Sequence, residues 1–187
     1  GSLVISVNHF AIFILSKSLV YCIMKKITTL ITLFFCFITL LSQTTLESEL
    51  FNMINKYRYE ISIRQLEWDN RVYEVSKDQS LYMSKTDNCT HDQQEETEHF
   101  SNFNMRLFKD KYDKKGIDTD IYTIGENCYI GYDIFTSTNH QIAERVFNAW
   151  LNSPAHNKLL LDNNFFFGSV RVRLKNGNVY SSFNCIN

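Results

Sequence analysis

Residues 150–161 read WLNSPAHNKLLL and hold the single proline of this 187-residue chain. Proline fixes its own φ angle and has no N–H to donate, so it favours the first position of a helix. Ser153 precedes Pro154 and belongs to the residue types that cap helix N-termini with a side-chain oxygen. The stretch therefore predicts that a helix begins at Pro154 and that His156 lies inside its first turn, facing inward.

Apolar residues at helical spacing predict four further helices. They are expected over about 45–59, 70–85, 101–112 and 139–152. The first follows the capping-box pattern Thr44-Thr45-Leu46-Glu47, and the second follows Asp69, a good N-cap residue. The short helix at 101–112 would interrupt a polar region that is long for a loop.

Two strand-like runs end the sequence, at 168–174 and 179–186. Lys175-Asn176-Gly177-Asn178 lies between them, and its Asn-Gly pair is a turn signal of β-hairpins. Because the helical patterns come first and the strands come last, the order predicts an α+β fold built in layers.

The N-terminal region resembles an export signal. Met24-Lys25-Lys26 is followed by 15 residues without charge, 27–41, and then by the polar pair Ser42-Gln43. This pattern is typical of a secretory signal peptide over 24–43, and the apolar run is short of the roughly 20 residues that a membrane span needs. Residues 1–23 are interpreted as a cloning remnant and sequence upstream of the natural start. The alternative is a hydrophobic hairpin or anchor.

The composition narrows the class of partner. The chain is 44% hydrophobic and 21% charged, with a formal net charge of −1. Such a chain folds as a globular domain, here expected over 44–187, and lacks the basic surplus typical of nucleic-acid binders. We expect a secreted protein, extracellular or periplasmic, with no nucleic-acid partner and no stable membrane span after signal cleavage.

Six short motifs resemble the CAP superfamily, which comprises cysteine-rich secretory, antigen 5 and pathogenesis-related 1 proteins and is also called the SCP domain family. In chain order they are Asn55-Lys56-Tyr57-Arg58, Leu66-Glu67-Trp68-Asp69, Cys89-Thr90-His91, Gly125-Glu126-Asn127, the WLNSPAH of 150–156 and, with Gly168, the closing Tyr180-Ser181-Ser182-Phe183. Each motif is unspecific alone, but six of them in family order span about 46–187. The WLNSPAH motif resembles the bacterial branch.

The resemblance implies a fold and a site. The fold would be an α-β-α sandwich, with a central antiparallel sheet between two helical layers. The site would be a cleft lined by two histidines and one or two glutamates, which correspond here to His91, His156 and Glu126. Where many family members have the second glutamate, this chain has Ser153. That difference weakens any mechanism that needs two carboxylates.

Two imidazoles and one carboxylate in a cleft allow three interpretations. They could bind zinc or another divalent cation, since two histidines and a glutamate with an open position form a hydrolase zinc site. They could act as general acid and base near neutral pH. They could also be a structural network in which Glu126 orients His91 and His156. We favour the network, because structural ion-pair and hydrogen-bond clusters also perturb titratable groups.

Three cysteines follow the predicted signal peptide: Cys89, Cys128 and Cys185. Cys89 and Cys128 each lie two positions from an implied cleft residue, so convergence of His91 and Glu126 would bring the two thiols together. A Cys89–Cys128 disulfide is therefore predicted, with Cys185 as the remaining free thiol.

The predicted function is that of a secreted, non-catalytic CAP-domain protein that binds an extracellular ligand, which could be a small molecule, a lipid or a protein. One alternative is a divalent-metal-dependent hydrolase or peptidase that uses His91, Glu126 and His156. Another is a lipid or sterol carrier, which would need an exposed apolar groove. The absence of a second carboxylate at Ser153 disfavours the hydrolase.

Overall fold

The computed structural model describes residues 24–27, 46–93 and 105–187. The chain divides into two compact units, Gly1–Thr44 and Thr45–Asn187. In the first unit the described part is one exposed helical turn, 24–27. The rest of the predicted signal peptide and the upstream segment 1–23 lie outside the described residues. Within the described ranges, no helix has both the length and the apolar composition needed to cross a membrane.

The second unit contains five helices and four strands over its described residues. Helices α1 to α5 span 46–60, Asn70–Thr86, Met105–Lys114, Asn139–Leu151 and Pro154–Leu160. Strands β1 to β4 span Glu67–Trp68, Ile124–Gly131, Phe167–Lys175 and Asn178–Ile186. The predicted helices and hairpin strands are confirmed, with boundaries shifted by a few residues. Strands β1 and β2 were not predicted.

The strands form one sheet in the order β1-β3-β4-β2. The three long strands pair antiparallel, as predicted. The two-residue strand β1 differs, because it pairs parallel to β3, with Glu67 opposite Phe167 and Trp68 opposite Gly168. Parallel neighbours need a long crossover, and the chain between β1 and β3 supplies one through four helices. Strand β2 lies at the other edge of the sheet.

The turn between β3 and β4 has the geometry that its sequence predicts. Asn176 and Gly177 both have positive φ angles, 53° and 76°, as a two-residue hairpin turn of this kind requires. A Cβ atom at Gly177 would also collide with the ring of Phe135. Asn-Gly therefore supplies both the conformation and the space that the hairpin needs.

The sheet lies between two helical layers. Helices α1, α4 and α5 pack on one face, and helices α2 and α3 pack on the other. Side chains alternate along β4, so Phe183 and Cys185 join the first layer while Ile186 packs with α2 and α3. The predicted α-β-α sandwich is confirmed.

The motif Asn55-Lys56-Tyr57-Arg58 ties α1 to distant backbone. The Asn55 amide accepts from the Leu66 N–H at 2.8 Å and donates to the Leu66 carbonyl at 3.0 Å. Arg58 is fully buried, and its guanidinium donates to four carbonyl oxygens. These acceptors belong to Arg64, Leu160, Asp162 and Phe165, at 2.7, 2.8, 3.0 and 3.4 Å. The motif is therefore structural.

Asp69 and Glu47 were both predicted to take part in helix caps. Asp69 caps α2 as predicted, since its carboxylate accepts from the N–H groups of Arg71 and Val72. The capping box predicted for α1 involves Thr44, which lies outside the described residues; the Glu47 carboxylate accepts from Arg171, at 2.9 Å, and from the Val172 N–H, at 3.2 Å. Burial raises the pKa of Glu47, against the neighbouring Arg171 charge. Glu47 therefore joins α1 to β3.

Candidate functional site

Strand β2 carries the motif Gly125-Glu126-Asn127 along an edge of the sheet. A Cβ atom at Gly125 would collide with the Leu159 side chain, so glycine lets α5 approach the strand closely. Because side chains alternate along a strand, Glu126 points to the layer of α2 and α3. Asn127 points to α5, where it donates to the His156 carbonyl at 3.0 Å. The motif thus contacts both helical layers.

The Glu126 carboxylate is completely buried between an imidazole and an ammonium group. His91 Nδ1 lies 3.0 Å from Glu126 Oε1. Lys111 Nζ lies 3.5 Å from Oε1 and 3.4 Å from Oε2. A buried charge is costly unless it is paired and hydrogen-bonded, and these contacts provide both.

Lys111 contacts Glu126, and the sequence prediction did not name it. Its side chain is only 8% exposed on α3. Besides Glu126, the ammonium group contacts the Gln79 side-chain oxygen and, at 2.9 Å, the His91 carbonyl oxygen. Three acceptor groups thus match its three N–H bonds. The ammonium also lies 5.0 Å from the centroid of the Phe108 ring.

His91 lies in the segment that follows α2, and backbone contacts hold this segment. The side-chain amide of Gln79 donates to the Thr90 carbonyl, and the Thr90 hydroxyl accepts from the Asp92 N–H at 3.0 Å. The imidazole packs near Phe108, with ring centroids 5.6 Å apart, and remains 30% exposed. The ring therefore contacts Glu126 on the protein side and still reaches the surface of the cleft.

His156 lies on α5, in the opposite helical layer from Lys111. Helix α5 begins at Pro154, and Ser153 occupies the N-cap position, as predicted. The Ser153 side chain makes no capping hydrogen bond, however. Half-buried His156 follows within the first turn. Burial, and then the nearby charge of His91, lower the pKa of His156.

Cys128 lies two residues after Glu126 and therefore on the same face of β2. Its Sγ lies 3.5 Å from Glu126 Oε1 and 3.7 Å from His91 Nδ1. Burial, and then the charge of Glu126, raise the pKa of the Cys128 thiol well above its usual value. The thiol is therefore neutral at physiological pH. Its spacing of two residues from Glu126 places it beside the carboxylate only once β2 is known to be a strand.

The grouping of ligand atoms differs from the predicted metal site. The prediction named His91, Glu126 and His156, whereas His91, Glu126 and Cys128 have ligand atoms within 4.8 Å of one another. Among the described residues this is the one such grouping. Imidazole, carboxylate and thiolate are all zinc ligands. The ammonium of Lys111, however, lies against the same carboxylate, and its repulsion of a second cation does not fit a metal.

The predicted Cys89–Cys128 disulfide is not formed, because Cys89, Cys128 and Cys185 are all free thiols. Cys89 is exposed, whereas Cys128 packs inward against Met83 and Tyr180. The pairing was wrong because two converging cleft residues do not fix the direction of their neighbours' thiols.

The sequence profile of the CAP family, the cysteine-rich secretory protein family, matches residues 51–184. The chain belongs to this family. The match runs from α1 into β4 and includes every cleft residue described above. A search of curated protein sequences finds no significant match to this chain.

Several solved structures share the fold of this chain at low sequence identity. An extracellular SCP-domain protein of Bacillus anthracis is 19% identical, with a TM-score of 0.56 over 78% of this chain and 41% of its own. An outer surface protein of Borrelia burgdorferi is also 19% identical, with a TM-score of 0.56 over 74% and 89%. NaASP2, solved with Zn²⁺, is 10% identical, with a TM-score of 0.50 over 77% and 80%. The chain thus spans about two fifths of the Bacillus protein.

A concavity of this CAP domain lies between α1 and α4. Its volume is about 570 Å³. The lining residues are Glu49, Asn52, Met53, Lys56, Tyr57, Glu60, His140, Glu144, Phe147, Asn148 and Leu151. Acidic and basic groups interrupt its apolar surface, and His140 lies 3.8 Å from Glu49 and 3.5 Å from Glu144. The lipid-carrier alternative stays a prediction.

The lowered pKa of His156 predicts a pH dependence of stability. In the unfolded chain the pKa of His156 is near 6.5, whereas in the folded domain it is lower. The free energy of unfolding should therefore fall as the pH drops through 6.5 toward the folded pKa. Urea unfolding at about pH 7.5 and about pH 5 should show a smaller loss in His156→Gln than in the wild type. An equal loss in both proteins would contradict the prediction, and His140→Gln, outside the cleft, is the matched control.

Proposed function

We propose that this CAP domain is an exported, non-catalytic module that binds an extracellular ligand through the cleft at the edge of β2. The observation that carries the proposal is the state of Glu126. Its side chain is fully buried, and Lys111 and His91 contact its oxygens. A general base must reach the proton that it abstracts. A carboxylate enclosed in this way supports a binding surface better than it supports a catalytic centre.

The ligand would meet the two imidazoles, His91 and His156. His91 keeps 30% of its side chain exposed, and His156 is neutral at pH 7 because its pKa is lowered. A neutral imidazole offers one donor and one acceptor. The cleft therefore suits a polar ligand with hydroxyl or carboxyl groups, such as the free end of a peptide, rather than an apolar chain.

Export is part of the same proposal. Residues 24–43 would be the signal peptide, and the mature protein would begin near Thr44. The similar proteins of Bacillus anthracis and Borrelia burgdorferi, described as extracellular and as an outer surface protein, support this location. Mass spectrometry of the exported protein measures its first residue. A secreted form that retains residues 1–42 would contradict the signal peptide.

A metal-dependent hydrolase is the second candidate. The grouping of His91, Glu126 and Cys128 favours it, as does the Zn²⁺ with which the fold relative NaASP2 was solved. Two features argue against it. Lys111 already contacts both carboxylate oxygens, and Ser153 stands where a second carboxylate would be expected.

The ligand-binding module and the metal-dependent hydrolase predict different results for the wild type and its variants. Short peptides with free carboxyl termini, added to the isotope-labelled protein, should shift the imidazole signals of His91 and His156 in NMR spectra. His156→Ala should lose most of this binding, whereas His140→Ala should retain it. Fluorescently labelled casein should stay intact with and without added zinc. Cleavage that Glu126→Gln abolishes would establish the hydrolase instead, and absent peptide shifts would reject the peptide class.

A further inference from the structure

We propose that Lys111 is the resident cation of the cleft: its ammonium holds the position beside Glu126 that a divalent metal would take. Removing this charge would open a zinc site formed by His91, Glu126 and Cys128. The inference concerns the cleft of the proposed function. The test uses metal ions without any peptide. The latent zinc site can therefore be rejected while peptide binding is supported, and peptide binding can be rejected while the zinc site is supported.

The contacts of Lys111 resemble those of a bound ion more than those of a surface lysine. Its ammonium reaches both oxygens of one buried carboxylate, at 3.4 and 3.5 Å. Its remaining hydrogen-bonding capacity goes to Gln79 and to the His91 carbonyl. Lysine is almost never this deeply buried unless it is paired. Lys109, on the same helix, differs, since it is half exposed and pairs with exposed Asp120.

The Glu126 oxygen that the ammonium contacts also belongs to a grouping of possible metal ligands. His91 Nδ1, Glu126 Oε1 and Cys128 Sγ surround one point, with ligand atoms within 4.8 Å of one another. Imidazole and thiolate together favour zinc over calcium or magnesium. Binding would release the thiol proton of Cys128 to solvent, because the thiolate is the ligand.

Electrostatic repulsion prevents the Lys111 ammonium and a divalent metal ion from binding Glu126 together. A divalent cation at Glu126 would share the carboxylate with the Lys111 ammonium at close range, in a site that water screens poorly. Lys111 cannot swing away cheaply, because its three contacts would then lose their donor. The wild-type cleft therefore excludes a metal electrostatically although its ligand atoms are in place.

Lys111→Gln removes the charge while keeping a donor for the His91 carbonyl. We expect this variant to bind one Zn²⁺ at least about tenfold more tightly than the wild type, the lower end of effects that groups beside metal ligands have on affinity. Lys109→Gln, on the same helix, should bind like the wild type. Lys111→Gln/Cys128→Ser should lose the gain, and Co²⁺ should give a thiolate absorption band in Lys111→Gln alone. Calorimetric titration and absorption spectra measure these effects.

Each contrary result is decisive. Zinc that binds the wild type and Lys111→Gln equally, and depends on Glu126, would show that Lys111 does not occupy the metal's place. Zinc that binds neither, or that is unaffected by Cys128→Ser, would reject the latent site. Should Lys111→Gln unfold in chelator, thermal melting takes over as the readout, because a metal that binds only the folded state stabilises it. Zinc should then restore the folding of Lys111→Gln, and failure to restore it would overturn the proposal.

Discussion

Replacing Arg58 by alanine is expected to lower the free energy of unfolding by about 3–5 kcal/mol, because several buried acceptors lose their donor. The guanidinium is fully buried and donates to the carbonyl oxygens of Arg64, Leu160, Asp162 and Phe165. Each buried acceptor left without a donor costs about 1–3 kcal/mol, and relaxation of the site makes these costs less than additive. Urea unfolding measures the loss, which is a large share of the roughly 5–15 kcal/mol that stabilises a domain.

Two variants test whether the geometry of the guanidinium or its charge matters at Arg58. Arg58→Lys keeps the charge, but one ammonium group cannot reach all the carbonyl oxygens that the planar guanidinium reaches. The free energy of unfolding should therefore still fall by about 2 kcal/mol. Arg64→Ala is the matched control, because its exposed side chain only lies over the Phe166 ring, and it should cost less than about 1 kcal/mol. A loss in Arg58→Ala no greater than that in Arg64→Ala would contradict the structural role of the motif.

The helices and the hairpin were predictable because their signals are local. The apolar stripe of α4 and the Asn176-Gly177 turn each act within a few residues. Strand β2 gives no such signal, since its core-facing positions include the polar residues Glu126 and Asn127. These residues are buried because their partners come from other elements, at separations that periodicity does not detect.

The site residues that belong to family motifs were predicted from the sequence, and those outside the motifs were missed. His91, Glu126 and His156 came from motifs, whereas Lys111 lies among several lysines that suggest a solvated helix face. One local signal did exist. Phe108 precedes Lys111 by three residues, so both lie on one side of α3, and Phe108 is buried. A lysine on the buried side of a helix implies an acid partner.

The pairing of Glu126 with Lys111 is expected to give a large coupling in a double-mutant cycle. Glu126→Gln keeps the shape of the side chain but leaves the Lys111 ammonium buried beside a neutral amide. Lys111→Met leaves the carboxylate without its ammonium partner, in contact with His91 and the Cys128 thiol. Removing one partner of a buried pair costs about 3–5 kcal/mol, because the remaining charge loses its compensation.

The double variant Glu126→Gln/Lys111→Met should be more stable than the sum of the two single losses predicts. With both charges gone, neither side chain is an uncompensated ion, and the coupling should reach about 1–3 kcal/mol. Chemical unfolding in chelator measures the cycle without any metal. Glu74→Gln with Lys77→Met is the matched control, since that pair is 3.0 Å apart but exposed, and its coupling should stay below about 0.5 kcal/mol.

Additive losses in the Glu126–Lys111 cycle would show that the two charges do not compensate each other. The Glu126 carboxylate would then be compensated mainly by His91. In that case a proton or a metal could bind at Glu126, because Lys111 would not occupy the site. Strong coupling has the opposite meaning. It would show that the buried glutamate serves to join β2 to α3, through Lys111, which leaves the two histidines at the cleft surface for a ligand.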